Sequence, residues 1–340
     1  MSTDFFSKQI YREYSHIIRK LNLKNQRQLP LLSKTNFERV CGLVLLGGYF
    51  ENVFKLTGIN FDNFLIFLKL FLKKKLIQID EGGKIGAVHG KDVKTLIRQP
   101  NFKILEHDIE HKWVFDLNQF PCTNEARKER IKLFCEYFPI NREIEGVVLG
   151  DDDRNCLSLS SQSNVCVTVF EKNRKLIKSL QKISRELSLS VDFVEADLTQ
   201  TTPSVSKQFD FFMCDPPYTL DGLCCWIKKG YNLLKTNDSC LGFVFFSNNM
   251  LHDKWKKELL VFLSELGAIL LEFRKSFNSY QLPAHYRQYK RAEMFAKKYK
   301  IPKDRYRKWG AWSNVMVLEF NKKDSLKKTQ ERFKNVYYFD

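Results

Sequence analysis

Three consecutive carboxylates, Asp151-Asp152-Asp153, follow Gly150 at the end of the apolar run EGVVL. The glycine permits a tight turn and close approach of a ligand. Loops that hold phosphate present glycines and backbone N–H groups to the anion. Three acids in a row would repel it and suit a cation instead, such as a sulfonium or a protonated amine. Turn formation or helix capping accounts for one aspartate but hardly for three. A second signal is Asp215-Pro216-Pro217-Tyr218, directly after FDFFMC. Two prolines fix the backbone, delay the next helix and aim carbonyl oxygens into a cleft. A nitrogen nucleophile needs a free lone pair and a destination for its proton. Asp215 and a proline carbonyl can accept the N–H hydrogens and point the lone pair at an electrophilic carbon. The ring of Tyr218 can stack on a planar substrate. Two further acids fall between these signals. Glu171 ends VCVTVF, about 20 residues after Gly150, where an acid accepts hydrogen bonds from ribose hydroxyls; alternatively it is an exposed residue opening the next helix. Asp197, with Leu198 beside it in VEADL, is placed to accept from an adenine amino group, or is simply a loop acid.

These positions require a scaffold that gathers them. From Glu145 onward, short apolar β-rich runs alternate with helical ones: EGVVLG, VCVTVF, VDFVEAD, FDFFMCD, CLGFVFFS, ILLEFRKSF and NVMVLEF. Segments 174–187, 224–234 and 254–266 fit crossover helices. The alternation predicts an α/β, doubly wound sheet whose loops at strand carboxyl ends carry the ligand. Thr123 can cap a helix over 124–137, with Pro139 just beyond it. The last two runs are split by a basic, aromatic segment, 280–312, expected as an insertion or lid.

Residues 1–100 read as a separate small helical domain. Segments 5–21, 36–46 and a helix from Phe61, capped by Asn60, precede two β-rich runs around Glu81-Gly82-Gly83. Helices followed by a hairpin predict a winged-helix-like module. Its last helix, FDNFLIFLKLFLKKK, is too apolar to read DNA, which favours a structural or homodimer-forming role. A connector over 101–120 leads to the α/β domain, 121–322, and a tail follows over 323–340.

The 340-residue chain suits two domains. It has no apolar run long enough to span a membrane, so no membrane partner is expected. Its N-terminus is charged throughout and lacks the apolar region of a signal peptide. Nine scattered cysteines without a CxxC pair predict reduced thiols, no metal and a cytoplasmic location. The net charge of +17 attracts polyanions such as nucleic acid, or reflects a lysine-rich composition.

Taken together, VVLGDDD (147–153), Glu171, EADL (195–198), FDFFMCDPPYT (209–219), LLK and CLGF (233–243), DKW (253–255) and FRKSFNSY (273–280) resemble the branched-chain polyamine synthases, the N4-bis(aminopropyl)spermidine synthase family. The resemblance covers residues 119–272 well and the N-terminal part in outline. It implies a Rossmann-like S-adenosylmethionine-dependent-transferase fold behind a winged-helix-like part. It also implies transfer of an aminopropyl group from decarboxylated S-adenosylmethionine to a polyamine such as spermidine. In that reading Asp151, Asp152 and Asp153 bind the amine and take its proton, and Asp215 lies across the reacting nitrogen. Gly150, Glu171, Asp197 and Leu198 hold the cofactor, Pro216, Pro217 and Tyr218 border the substrate, and no metal takes part. One departure stands out: the family usually has Glu where this chain has Tyr218. Asp-Pro-Pro-Tyr is the motif of amino-methyltransferases acting on adenine, cytosine or glutamine amides. The alternatives are therefore an S-adenosylmethionine-dependent N-methyltransferase acting on nucleic acid or protein, and a non-catalytic regulator of the same fold.

Overall fold

The computed structural model describes residues 3–25, 31–88, 96–102, 122–200, 208–236, 239–247, 253–280, 287–302 and 311–321. Nearly all of the connector expected over 101–120, and the whole tail over 323–340, lie outside the described residues. The chain divides into two compact units. The first holds residues 1–100, 131–143 and 162–164; the second holds 101–130, 144–161 and 165–340.

The first unit runs α1 (Thr3–Asn25), α2 (Lys34–Leu46), β1 (Gly48–Tyr49), α3 (Phe50–Thr57), α4 (Phe61–Lys73), β2 (Ile77–Ile79) and β3 (Lys84–Ala87). Ser33 and Asn60 start α2 and α4 by accepting the backbone N–H of Asn36 and Asn63. The three strands form an antiparallel sheet in the order β1-β3-β2. The apolar run that made α4 unfit to read DNA lies in the core. Phe64, Phe67, Leu68, Leu70 and Phe71 are buried, and the ring of Phe67 sits 4.8 Å from Tyr14 and 4.9 Å from Phe37.

The helix α5 (Asn124–Tyr137) opens on Thr123, whose hydroxyl accepts the Ala126 N–H. Its residues to Arg130 belong to the second unit. That unit is built on one seven-stranded sheet in the order β6-β5-β4-β7-β8-β10-β9. Here β4 is Ile144–Leu149, β5 Val165–Glu171, β6 Val191–Glu195, β7 Phe211–Cys214, β8 Ser239–Phe246, β9 Ala268–Tyr280 and β10 Ala311–Asn321. Strands β4 to β8 pair in parallel, so the carboxyl ends of β4, β5, β6 and β7 share one edge. Helices α6 (Asn155–Ser160), α7 (Arg174–Glu186), α8 (Leu220–Leu233) and α9 (Asp253–Glu265) connect them. Helix α8 starts four residues before the sequence expectation because the Thr219 hydroxyl caps it through the Gly222 N–H.

The sheet adds a strand order not read from the sequence and corrects the bounds of the expected insertion. β10 pairs antiparallel with both β8 and β9, so the strand last in sequence is not last in the sheet. Tyr280 ends β9 and Trp312 lies inside β10, which shortens the expected insertion at both ends; helix α10 (Arg287–Lys298) occupies part of it. Residues 281–286 and 303–310 of that segment lie outside the described residues.

β7, the strand that carries Asp215, is seated by aromatic rings lying over glycines. A Cβ on Gly146 of β4 would stand 2.2 Å from the Phe211 ring. Cβ atoms on Gly230 of α8 and Gly242 of β8 would stand 2.5 and 2.4 Å from Phe212. No side chain fits these three positions while the rings stay in place.

Candidate active site

Gly150 leaves β4 at φ +72, a conformation that glycine adopts without strain. The three aspartates after it then take different roles. Asp151 is fully buried and caps α6. Its Oδ1 accepts the Asn155 N–H at 2.6 Å and its Oδ2 the Cys156 N–H at 3.0 Å. Asp153 is buried too; it accepts the Cys122 N–H at 2.5 Å and an Arg130 N–H at 2.6 Å. Asp152 alone of the three keeps partial solvent access.

Glu171 closes over the same loop. Its carboxylate accepts the Asp151 N–H at 3.0 Å and the Asn173 N–H at 2.7 Å. It is buried rather than an exposed residue at a helix start. Asp197 at the end of β6 receives Lys172 Nζ at 2.9 Å and the N–H and hydroxyl of Thr199. Leu198 next to it is buried. The Trp226 indole of α8 donates to the Leu149 carbonyl at 3.2 Å, beneath the Gly150 turn.

At the end of β7 the carboxylate of Asp215 is held from three sides. Tyr218 donates its hydroxyl to Oδ1 at 2.9 Å, while Arg130 and Tyr280 donate to Oδ2 at 2.9 and 2.5 Å. The Tyr218 and Tyr280 hydroxyls are 2.9 Å apart. Pro217 accepts the Thr219 N–H and so leads the chain into α8. The motif therefore puts the Tyr218 hydroxyl on the Asp215 carboxylate itself, a contact that the motif alone did not announce.

Arg130 joins the two acidic loops. One side chain, 1 % exposed, reaches Asp153, Asp215, Asn155 Oδ1 and Asn278 Oδ1, and its guanidinium lies 3.8 Å from the centroid of the Phe245 ring. Motif reading missed Arg130, Asn278, Tyr280, Ser313 and the Cys122 N–H. One clue was present for Arg130. It stands in the apolar stripe of α5 with Ala126, Phe134 and Tyr137, where an unpaired charge is costly.

The electrostatics follow from burial and crowding. Burial pushes Asp151 up to about 7. Burial, then the charge of Asp153, pushes Asp215 up to about 7 as well. Asp152 is raised well above the carboxylate range by burial and by Asp153 and Asp215. For Asp153 the same burial is outweighed by the Arg130 guanidinium, which holds it below the usual value. Tyr218 and Tyr280 are both raised, by burial and then by the charge of Asp215. The edge thus concentrates carboxylates whose mutual repulsion an incoming cation would relieve. Among the described residues no cluster has the makings of a metal site.

The strand order, with its carboxylates at the carboxyl ends of β4, β5, β6 and β7, defines a Rossmann-like α/β domain of the S-adenosylmethionine-dependent-transferase type. Residues 110–339 match the family model for the branched-chain polyamine synthase A C-terminal domain, and the chain belongs to that family. Over 144 residues it is 28 % identical to an N(4)-bis(aminopropyl)spermidine synthase of Thermococcus kodakarensis, covering 41 % of this chain and 40 % of that protein. Over 137 residues it is 26 % identical to the protein of the same name from Methanocaldococcus jannaschii, covering 39 % of each. The matched stretches thus span about two fifths of the length of both relatives. The crystal structure of the branched-chain polyamine synthase from Thermus thermophilus, in complex with N4-aminopropylspermidine and 5'-methylthioadenosine, shares the fold. It aligns with a TM-score of 0.54 at 18 % identity over 96 % of both chains.

Proposed function

We propose that this protein is an aminopropyltransferase that moves the aminopropyl group of decarboxylated S-adenosylmethionine to a nitrogen of a polyamine such as spermidine. The observation that carries the reading is the crowd of Asp151, Asp153, Glu171 and Asp215 around Asp152, two of them bound to one fully buried guanidinium, Arg130, in a chain of the polyamine synthase family. A site with that charge selects a polycation. Glu171 and Asp197 take the ribose and adenine side of the donor, with Gly150 and Leu198 shaping the floor. Asp152, which retains solvent access and a raised proton affinity, receives the amine and its proton, with Asp215 across the reacting nitrogen. The nitrogen lone pair attacks the propyl carbon next to the sulfonium in line. The C–N bond forms, and the C–S bond breaks with its electron pair left on sulfur, so methylthioadenosine departs as a neutral thioether.

The α-β-α-α-β-β order from α2 to β3 supports a winged-helix-like N-terminal module, to which we assign homodimer formation. Nine cysteines, none of them in a disulfide, suit a reducing, cytoplasmic compartment. The Asp-Pro-Pro-Tyr motif supports N-methyl transfer from S-adenosylmethionine to nucleic acid or protein as the second reading.

Calorimetric titration with each donor separates the two. They differ by one carboxylate, which the acidic loop after β4 repels. Tight binding of the decarboxylated donor, with methylthioadenosine released on adding spermidine, is the expected result. Preference for the carboxylated donor would establish the methyltransferase reading instead.

A further inference from the structure

Besides the neighbouring Tyr218, Asp215 is held by groups that lie far from it in sequence, and their hydrogen bonds all run one way. Tyr280 gives its proton to Asp215 Oδ2 at 2.5 Å. Its oxygen can then only accept from the Ser313 hydroxyl, 2.9 Å away. Ser313 in turn accepts from Asn278 Nδ2 at 2.9 Å, and Asn278 Oδ1 accepts from Arg130 Nε at 2.9 Å. A further Arg130 nitrogen, Nη2, donates straight to Asp215. The circuit begins on one guanidinium and ends on one carboxylate oxygen. We propose that Arg130 and Tyr280, braced by Asn278 and Ser313, are positioning residues that stabilise the charged form of Asp215 and turn it toward the reacting nitrogen. The inference rests on the transfer chemistry proposed above for this site.

Three features support it. A guanidinium kept only to neutralise a buried acid needs one carboxylate. Arg130 binds two, Asp153 from the β4 loop and Asp215 from the β7 loop, so its planar fork sets the spacing of those loops. The strand ladder is also interrupted where the circuit leaves it. Between Ser313 and Val315 the β9–β10 register shifts, Ser276 adopts φ 51, and the Asn314 side chain accepts the Ser276 N–H. Such irregularities re-aim the adjacent side chains, here Asn278 and Ser313. Finally, every contact to Asp215 is a donor. Donors favour the carboxylate, and they oppose the burial and the Asp153 charge that would otherwise protonate it.

The test uses the full-length protein with carbonyl-labelled aspartate, titrated by carbon-13 NMR, with Asp215→Asn to assign the resonance. Tyr280→Phe removes one donor without adding volume. Arg130→Lys keeps the charge and removes the fork, and a thermal melt shows whether each variant folds. The expected result is that Asp215 titrates about one pH unit higher in Tyr280→Phe and is raised also in Arg130→Lys. In the aminopropyl assay kcat at pH 7 then falls roughly fivefold and returns toward wild type by pH 9, while KM for the donor holds. An unmoved Asp215 titration in both folded variants overturns the proposal. So does a fall in kcat that is equal at every pH, which is the mark of a merely structural role. If Asp215 shifts but the wild-type protein transfers no aminopropyl group, the positioning of Asp215 stands and the transfer reading falls.

Discussion

Asp151, Asp152 and Asp153 are identical in type and adjacent in sequence, yet the fold separates their work. Asp151 satisfies two backbone N–H groups at the start of α6, so its loss is chiefly a loss of stability. Asp151→Ala is expected to cost about 1–2 kcal/mol in denaturant unfolding, as other cap deletions do. Asp152→Asn keeps the shape and removes the titratable carboxyl group nearest solvent. It should leave unfolding almost unchanged while turnover with spermidine drops at least tenfold in a methylthioadenosine-release assay. The reverse pattern, with Asp151 governing turnover and Asp152 governing stability, would refute this division. The motif was readable because all three acids sit in one loop. Their division was not, because it depends on Arg130 and Glu171, which are brought in from α5 and β5.

At the scale of elements, the alternation of apolar runs and helices places every strand from β4 to β8, and the Asp-Pro-Pro-Tyr turn falls where expected. The arrangement of the last two strands was not legible. Both are apolar runs of ordinary composition, and only tertiary pairing sets β10 between β8 and β9. That pairing brings Asn278, Tyr280 and Ser313 to the site, so these three of the residues that escaped sequence reading share one physical cause. The seating of β7 is a second element-scale device. Because Gly230 lies against the base of the Phe212 ring and Gly242 against its tip, Gly242→Ala must push the ring or β7 itself. The expected cost is about 1–3 kcal/mol in unfolding, with kcat lowered because Asp215 begins at the end of that strand. Phe212→Leu in the same background should recover part of the stability by vacating the space. A Gly242→Ala protein of wild-type stability would show that the strand is not held this way.

For the whole molecule, the carboxylate cluster makes folding depend on pH in a definite direction. Asp151 and Asp215 hold their protons to about 7 in the folded state, while unfolded aspartates release theirs near 4. Between those values the folded protein binds more protons than the unfolded chain, so the contribution of these two groups to stability falls as pH rises through that window. Below about 4 and above about 7 their contribution no longer changes with pH. Asp153 acts in the opposite sense, being stabilised in its charged form by Arg130. The net expectation is a melting temperature lower at pH 8 than at pH 5.5, with millimolar spermidine raising it more at pH 8, where the carboxylates are charged. A spermidine effect equal at both pH values would show that the amine does not bind this cluster. The net charge of +17 does not by itself oppose the proposed polycation substrate, because screening confines the choice to charges within about 8–10 Å of the ligand.

The Trp226 indole, tethered to the Leu149 carbonyl under the Gly150 turn, is a fluorophore beside the loop to which we assign the donor. If the donor sits there, its arrival should change the indole emission, so donor affinity should be readable in stopped-flow time without labels or a coupled assay.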